Sequence, residues 1–227
     1  MRALWNRIIY YIYPPLYDLI VRPLKPEREE AMELLRPNPG EKWLMIGCGT
    51  GLDLEVIPRS ANITAVDISP AMVMRTLHRA KQTGMDIDAR IMDAGAILFK
   101  PESFDIVVLH LVLSALPDPG ACIREAERVL KPHGRISILD KFPAGRFPAI
   151  RKRPWPYRIA ETLITGIAHE LVPLLKQANL TVEQERMDPL KNRFRNIIAV
   201  KGKNNKNPHI LEHTAMEFSG AGLDQGY

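Results

Sequence analysis

Short apolar runs alternate with amphipathic stretches along most of the chain. Lys42 to Ile46, Ile63 to Asp67, Ile87 to Asp93, Phe104 to His110 and Arg135 to Asp140 are rich in β-branched and other large apolar residues, and each predicts a strand. Between them fall helical periods. Pro70 to Gln82 follows a Ser-Pro start, and Pro119 to Leu130 stops at Lys131-Pro132-His133-Gly134. Pro26 to Leu35 carries acidic residues early and apolar ones at helical spacing, which predicts a short amphipathic helix ahead of the first strand. Strands that alternate with helices pair in parallel through crossovers, so the pattern predicts an α/β, doubly wound sheet with helices on both faces.

The rhythm changes after the fifth strand. Residues 143–168 are Pro-rich and basic at first, then helical, and read as an insertion at the C-terminal edge of the sheet. A helix from Glu170 to Ala178 then precedes two further strand candidates, Thr181 to Met187 and Asn196 to Lys201, close enough to form an antiparallel hairpin. The organisation expected is therefore an N-terminal cap over residues 1–38, a seven-stranded domain over 39–202 carrying the 143–168 insertion, and a flexible polar tail over 203–227.

At 227 residues and 46% hydrophobic, the chain suffices for one substantial core. Its two cysteines, Cys48 and Cys122, match no metal-ligand spacing, and with no secretory pattern at the N-terminus they suggest a reducing, cytoplasmic setting. The net charge of +5 decides little by itself; its placement is more informative. Arg2, Arg7, Arg22 and Lys25 flank the aromatic stretch Ala3 to Val21, which Pro14, Pro15 and Asp18 interrupt well short of a membrane-spanning length. That stretch reads either as a cap helix packed on its own domain or as an interfacial helix. Arg151, Lys152, Arg153 and Arg158 surround Trp155 and Tyr157 in the same way, a combination that suits anionic headgroups, a peripheral contact with the inner membrane face, or a solvated loop with one anchoring Trp.

The chemistry concentrates where the first strand breaks into Gly47-Cys48-Gly49-Thr50-Gly51. Glycines there let the backbone turn sharply and approach a ligand. Asp67 closes the next strand about twenty residues on, where a carboxylate accepts from both ribose hydroxyls of an adenosine cofactor or offsets the start of the following helix. Asp93 ends the third strand beside the same crevice, placed for an adenine amine or for capping a turn. His110 and Leu111 leave the fourth strand at that edge.

These motifs resemble the class I S-adenosylmethionine-dependent methyltransferases. GCGTG, VDISPAM, MDA, FDIVVLHLVLSALPDP and EAERVLKPHGRISILD occur in that family's order and spacing, across the span from about Tyr17 to Gly202. The last two are similar to the branch that holds ubiquinone/menaquinone methyltransferases and bacterial phosphatidylethanolamine N-methyltransferases. The resemblance implies a Rossmann-like seven-stranded sheet with a C-terminal antiparallel hairpin, and S-adenosyl-L-methionine as cofactor. It implies that Gly47, Cys48, Gly49 and Gly51 form the loop under the donor's methionine and ribose. Asp67 and Ile68 would hold the ribose and adenine edge, Asp93 and Ala94 the adenine amine, His110 and Leu111 the sulfonium region, and Tyr17 would close over the donor. His110, Tyr157 and His169 are the candidates for a catalytic base. The family's acidic residue two places before the first glycine is Met45 here, which removes a partner for the donor's ammonium.

The acceptor expected is a small molecule or a lipid, leaning to phosphatidylethanolamine-type N-methylation, with quinone or other small-molecule methylation as the alternative. A nicotinamide-type oxidoreductase would use the same glycines and Asp67, but the GxGxG spacing and the terminal hairpin count against it. A binding protein that kept the fold without catalysis is the third reading, prompted by Met45. Nucleic acid is disfavoured, because Leu-Val-Leu-Ser rather than an Asn/Asp-Pro-Pro-aromatic element follows His110.

Overall fold

The computed structural model describes residues 18, 19, 21–141, 171–187 and 194–202. Its strands are β1 (Lys42–Ile46), β2 (Asn62–Asp67), β3 (Ile87–Ile91), β4 (Phe104–His110), β5 (Leu130–Lys141), β6 (Leu180–Met187) and β7 (Phe194–Lys201). They form one seven-stranded sheet in the order β3-β2-β1-β4-β5-β7-β6. Pairing is parallel from β3 through β5 and antiparallel at β5–β7 and β7–β6, so the expected mixed sheet and terminal hairpin are present.

Among the described residues four α-helices cover this sheet: α1 (Lys25–Leu35), α2 (Pro70–Thr83), α3 (Pro119–Val129) and α4 (Leu171–Gln177). Alternation along β1 shows how the core divides. Trp43 and Met45 join Ala31, Met32 and Leu35 of α1 and Ala80 of α2 on one face. Leu44 and Ile46 join Cys122, Ile123 and Ala126 of α3 and Leu171 and Leu175 of α4 on the other. Burial on both faces explains why Ile106 to Leu109 of β4 form a continuous apolar run rather than an alternating one.

Three boundaries differ from the sequence reading by more than one residue. The third strand stops at Ile91, short of Asp93, because the Asp93 carboxylate turns back to accept from the Gly95 N–H at 2.8 Å and closes a turn. The fifth strand starts at Leu130 rather than Arg135. Its ladder to β4 jumps from Phe104↔Leu130 to Ile106↔Arg135, so Lys131 to Gly134 bulge out of the pairing, with His133 left-handed at φ 62°. The last strand starts at Phe194, paired with Lys141, two residues before Asn196. Most of the Ala3 to Val21 stretch, the 143–168 insertion and the 203–227 tail lie outside the described residues, as does Glu170. Among the described residues no helix is long and apolar enough to cross a membrane.

Strand order reverses between β1 and β4. Open α/β sheets form their ligand crevice at that point, outside the carboxyl ends of the strands, and the glycine loop leaves β1 there.

Candidate active site

The loop after β1 is fixed from both sides. The N–H groups of Gly47 and Cys48 both donate to the Val66 carbonyl, at 2.8 and 3.0 Å, and the Gly51 N–H donates to the Cys48 carbonyl at 2.9 Å. From α2, the Thr76 hydroxyl donates to the Gly49 carbonyl at 2.9 Å. Gly47 has no tolerance for a side chain: its φ is +69°, and a Cβ would lie 2.3 Å from Val112 Cγ2. Gly51, at φ +78°, sits against the α2 backbone, where a Cβ would meet Thr76 Cα at 3.0 Å. The chain then makes a single 3-10 turn, Leu52–Glu55, before running on to β2.

Asp67 is where the sequence placed it, at the end of β2. One carboxylate oxygen accepts from the Gly49 N–H and the other from the Ser69 N–H, both at 2.9 Å. Burial raises its pKa above the ordinary carboxylate range, although these N–H contacts pull the other way. Each oxygen retains a lone pair, so the group can still receive a diol. Ile68 beside it is 53% exposed, an apolar side chain left uncovered at the crevice and available to a flat ring. Ala94 is buried, and Asp93 stays exposed while it caps Gly95.

His110 sits deeper than a base facing a substrate would. Its Nδ1 contacts Asp53 Oδ1 at 2.6 Å and its Nε2 contacts Ser137 Oγ on β5 at 3.0 Å, so both ring nitrogens are committed. Only 1% of its side chain is exposed. Leu111 follows with φ 57° and packs with Val21, Leu24 and Leu52, which joins the N-terminal segment to the rim of the crevice. Tyr17, Tyr157 and His169 lie outside the described residues.

Sequence reading missed the group around Asp53. This carboxylate, on the 3-10 turn, faces His110 and also the Arg28 guanidinium of α1, whose Nε lies 3.4 Å from Asp53 Oδ1. Arg28 is 4% exposed; one terminal nitrogen donates to the Val21 carbonyl at 3.0 Å, while Nε is buried with no hydrogen-bond partner among the described residues. Burial would raise the pKa of Asp53, but His110 and then Arg28 outweigh it and hold the carboxyl below its usual range. A signal for Arg28 was present. It lies three, four and seven residues before Ala31, Met32 and Leu35, a charge on the apolar stripe of its helix.

A second ionic knot ties the N-terminal segment to the loop. Arg79 of α2 donates to the Thr50 carbonyl at 2.8 Å, pairs with Glu55, and reaches Asp18 at 2.7 Å; the Thr50 hydroxyl also donates to Asp18. On the far wall, Asp140 at the end of β5 accepts from the Ser114 N–H at 3.0 Å and from the Lys141 N–H at 2.7 Å. Burial pushes its pKa up.

Residues 44–138 match a family model described as a methyltransferase domain. The chain is 31% identical over 187 residues to a ubiquinone biosynthesis O-methyltransferase from Xanthomonas euvesicatoria pv. vesicatoria (strain 85-10), covering 76% of this chain and 77% of that protein. It is 31% identical over 111 residues to a phosphatidylethanolamine N-methyltransferase from Cereibacter sphaeroides, covering 48% of this chain and 55% of that one. Geranyl diphosphate C-methyltransferase from Streptomyces coelicolor A3(2), solved with S-adenosyl-L-homocysteine, superposes with a TM-score of 0.62 over 78% of this chain and 79% of its own. At 15% identity that likeness shows the fold alone.

Proposed function

Because the chain belongs to the S-adenosylmethionine-dependent methyltransferases, we propose that it transfers the methyl group to the amine of a small or lipid-like acceptor of the phosphatidylethanolamine type. S-Adenosylmethionine is its cofactor, and when bound it supplies an electrophilic methyl on a sulfonium. The residues present fit it. Asp67 offers two carboxylate oxygens already oriented by the Gly49 and Ser69 N–H groups, Ile68 offers an apolar face, and the loop presents backbone without intruding side chains.

The protein's task is to orient the donor, align the acceptor and keep water out. The observation that carries the choice of an amine is the commitment of His110. With Asp53 on one ring nitrogen and Ser137 on the other, its contacts hold the β4 and β5 ends in place and leave neither ring nitrogen turned toward an acceptor. An amine that arrives neutral brings its own lone pair, whereas a phenol must lose a proton first. The relative named for phosphatidylethanolamine methylation supports the same choice, and so does the basic, aromatic segment around Trp155 and Tyr157. Peripheral contact with an anionic membrane face of the cytoplasm belongs to this reading. The O-methylating relative, which matches over a longer span, favours a quinol as the second reading.

Isotopically labelled donor incubated with the protein and phosphatidylethanolamine vesicles, beside a phenolic quinol in detergent, tests the choice by mass spectrometry. Label in the ethanolamine headgroup is expected. Label confined to the quinol moves the assignment to the second reading, and label only in a soluble metabolite ends the lipid assignment.

A further inference from the structure

Buried charges need a reason, and Arg28 with Asp53 forms a buried pair that is incompletely matched within the protein. Arg28 Nε approaches Asp53 at 3.4 Å without hydrogen-bonding to it or to any other of the described residues. An unmatched guanidinium N–H at 4% exposure is costly unless a ligand completes it.

Its place in the fold indicates which part of a ligand that would be. The strand order puts β2 and β4 on opposite sides of β1. Asp67 ends β2, while Asp53 is bonded to the last residue of β4. A donor whose ribose rests at Asp67 therefore extends its amino-acid end across the glycine loop toward Asp53 and Arg28. That end is a zwitterion, one ammonium and one carboxylate on the same carbon. A carboxylate and a guanidinium side by side are its charge complement.

The same face explains Met45. Met45 pairs with Val108, and Val108 with Ser137; His110 lies two residues beyond Val108, so all four side chains share the α1 face of the sheet. Met45 is 1% exposed among Met32, Leu35 and Ile198, an apolar filler where the resembling family carries an acid. A carboxylate at position 45 would enter the side of the sheet that already holds Asp53.

We propose that Asp53 and Arg28 form the subsite for the donor's amino-acid end, with Asp53 receiving the α-ammonium and Arg28 the α-carboxylate, so that the negative charge absent from β1 is supplied by the turn after the glycine loop. The proposal rests on the methyltransferase reading and adds two residues to it. His110 and Ser137 act as positioning residues that fix the Asp53 carboxylate.

Calorimetric titration of the full chain tests this without turnover. S-Adenosylhomocysteine carries both charges, its deaminated analogue lacks the ammonium, and 5′-methylthioadenosine lacks the whole amino-acid end. Wild-type protein is expected to bind the deaminated analogue about 10- to 100-fold more weakly than S-adenosylhomocysteine. Asp53→Asn should weaken S-adenosylhomocysteine by a similar factor and leave 5′-methylthioadenosine unchanged. Arg28→Gln should do the same. Adding Met45→Asp to Asp53→Asn should recover part of the affinity, whereas Met45→Asp alone should not improve on wild type.

Equal wild-type affinity for S-adenosylhomocysteine and its deaminated analogue overturns the proposal, whether or not any variant folds. So does an Asp53→Asn protein that loses 5′-methylthioadenosine in proportion, since that marks a structural role only. If wild type binds none of the three, the donor assignment itself fails, an outcome distinct from either.

Discussion

Asp67 ends β2 and Asp53 contacts the last residue of β4, the strands on either side of β1, and the protein holds the two carboxylates by different means. Asp67 is gripped by backbone N–H groups from the glycine loop and from the start of α2. Asp53 is held by side chains, His110 from β4 and Arg28 from α1. Their pKa values move in opposite directions as a result. Burial dominates at Asp67 and raises it; at Asp53 burial is opposed and overcome by His110 and Arg28, and the net shift is downward. A backbone cradle orients a carboxylate, while a cationic neighbour also keeps it ionised.

The largest difference should appear in stability. Asp53→Ala leaves Arg28 buried without its counter-charge and should cost about 3–5 kcal/mol. Asp67→Ala frees two backbone donors at a partly exposed site and should cost about 1–3 kcal/mol. Urea unfolding of the two variants measures both. Equal losses would mean that the Arg28–Asp53 pair contributes no more than an ordinary hydrogen bond.

Gly47 tests whether the two corners share one support. Gly47→Ala places a residue with a Cβ at φ +69°, a strain of about 1–2 kcal/mol. Overlap with Val112 should add about 1–3 kcal/mol. In Gly47→Ala/Val112→Ala the second contribution should shrink, because Cγ2 is removed while the Val112 Cβ stays 2.8 Å from the added methyl, and the first should remain, as read from the urea midpoint. If the double variant is no better than the single one, the contact with Val112 is not what excludes a side chain there.

These two corners also mark what the sequence could tell. Asp67 was legible because its partners are local: a strand end, a glycine loop and a Ser-Pro helix start set it by spacing alone. The sheet was legible for a related reason, since hydrophobic period and turn residues report strands and crossovers directly. Asp53 was not, because Arg28 and His110 reach it from 25 and 57 residues away in the chain, and only the reversal of strand order brings them together. His110 was singled out as a base because it ends β4, yet spacing says nothing of Ser137 on the next strand. The Lys131 to Gly134 bulge was hidden likewise: the motif reads as a stop, but its backbone passes into β5 without a break.

Acid should separate the carboxylates by the sign of their contribution. The folded pKa of Asp53 is depressed, so its stabilisation is complete above the unfolded value of about 4 and disappears as pH falls through the folded value. Asp67 is raised, so the folded state takes up that proton first, and the contribution of Asp67 grows as pH falls through its folded value. The groups facing Asp53 in this window are Arg28 and His110. Urea midpoints followed from neutral pH into acid should therefore fall less steeply for Asp53→Asn than for wild type, and more steeply for Asp67→Asn. Parallel curves for all three would show that neither carboxylate is coupled to folding.

The smallest effect expected is at Cys48, which stands in the glycine loop between the two. Burial is the main reason its thiol is pushed up to about 12, and the charge of Asp67 is the second; Asp53 contributes last, after opposing hydrogen bonds. Cys122, on the buried side of α3, is also pushed up to about 12, by burial first and then by Asp93 and Glu125. Both thiols should resist a disulfide reagent in the folded protein and react once it is unfolded, because the thiolate is the reactive form. Asp67→Asn removes the second cause at Cys48 and leaves the first, so labelling of Cys48 should quicken by less than about tenfold. Asp53→Asn should change it less again, and neither variant should alter Cys122, as peptide mass spectrometry of timed labelling would read. Rapid labelling of Cys48 in Asp67→Asn would mean that the Asp67 cradle, not the packing of the loop against Val66 and Thr76, is what keeps this turn closed.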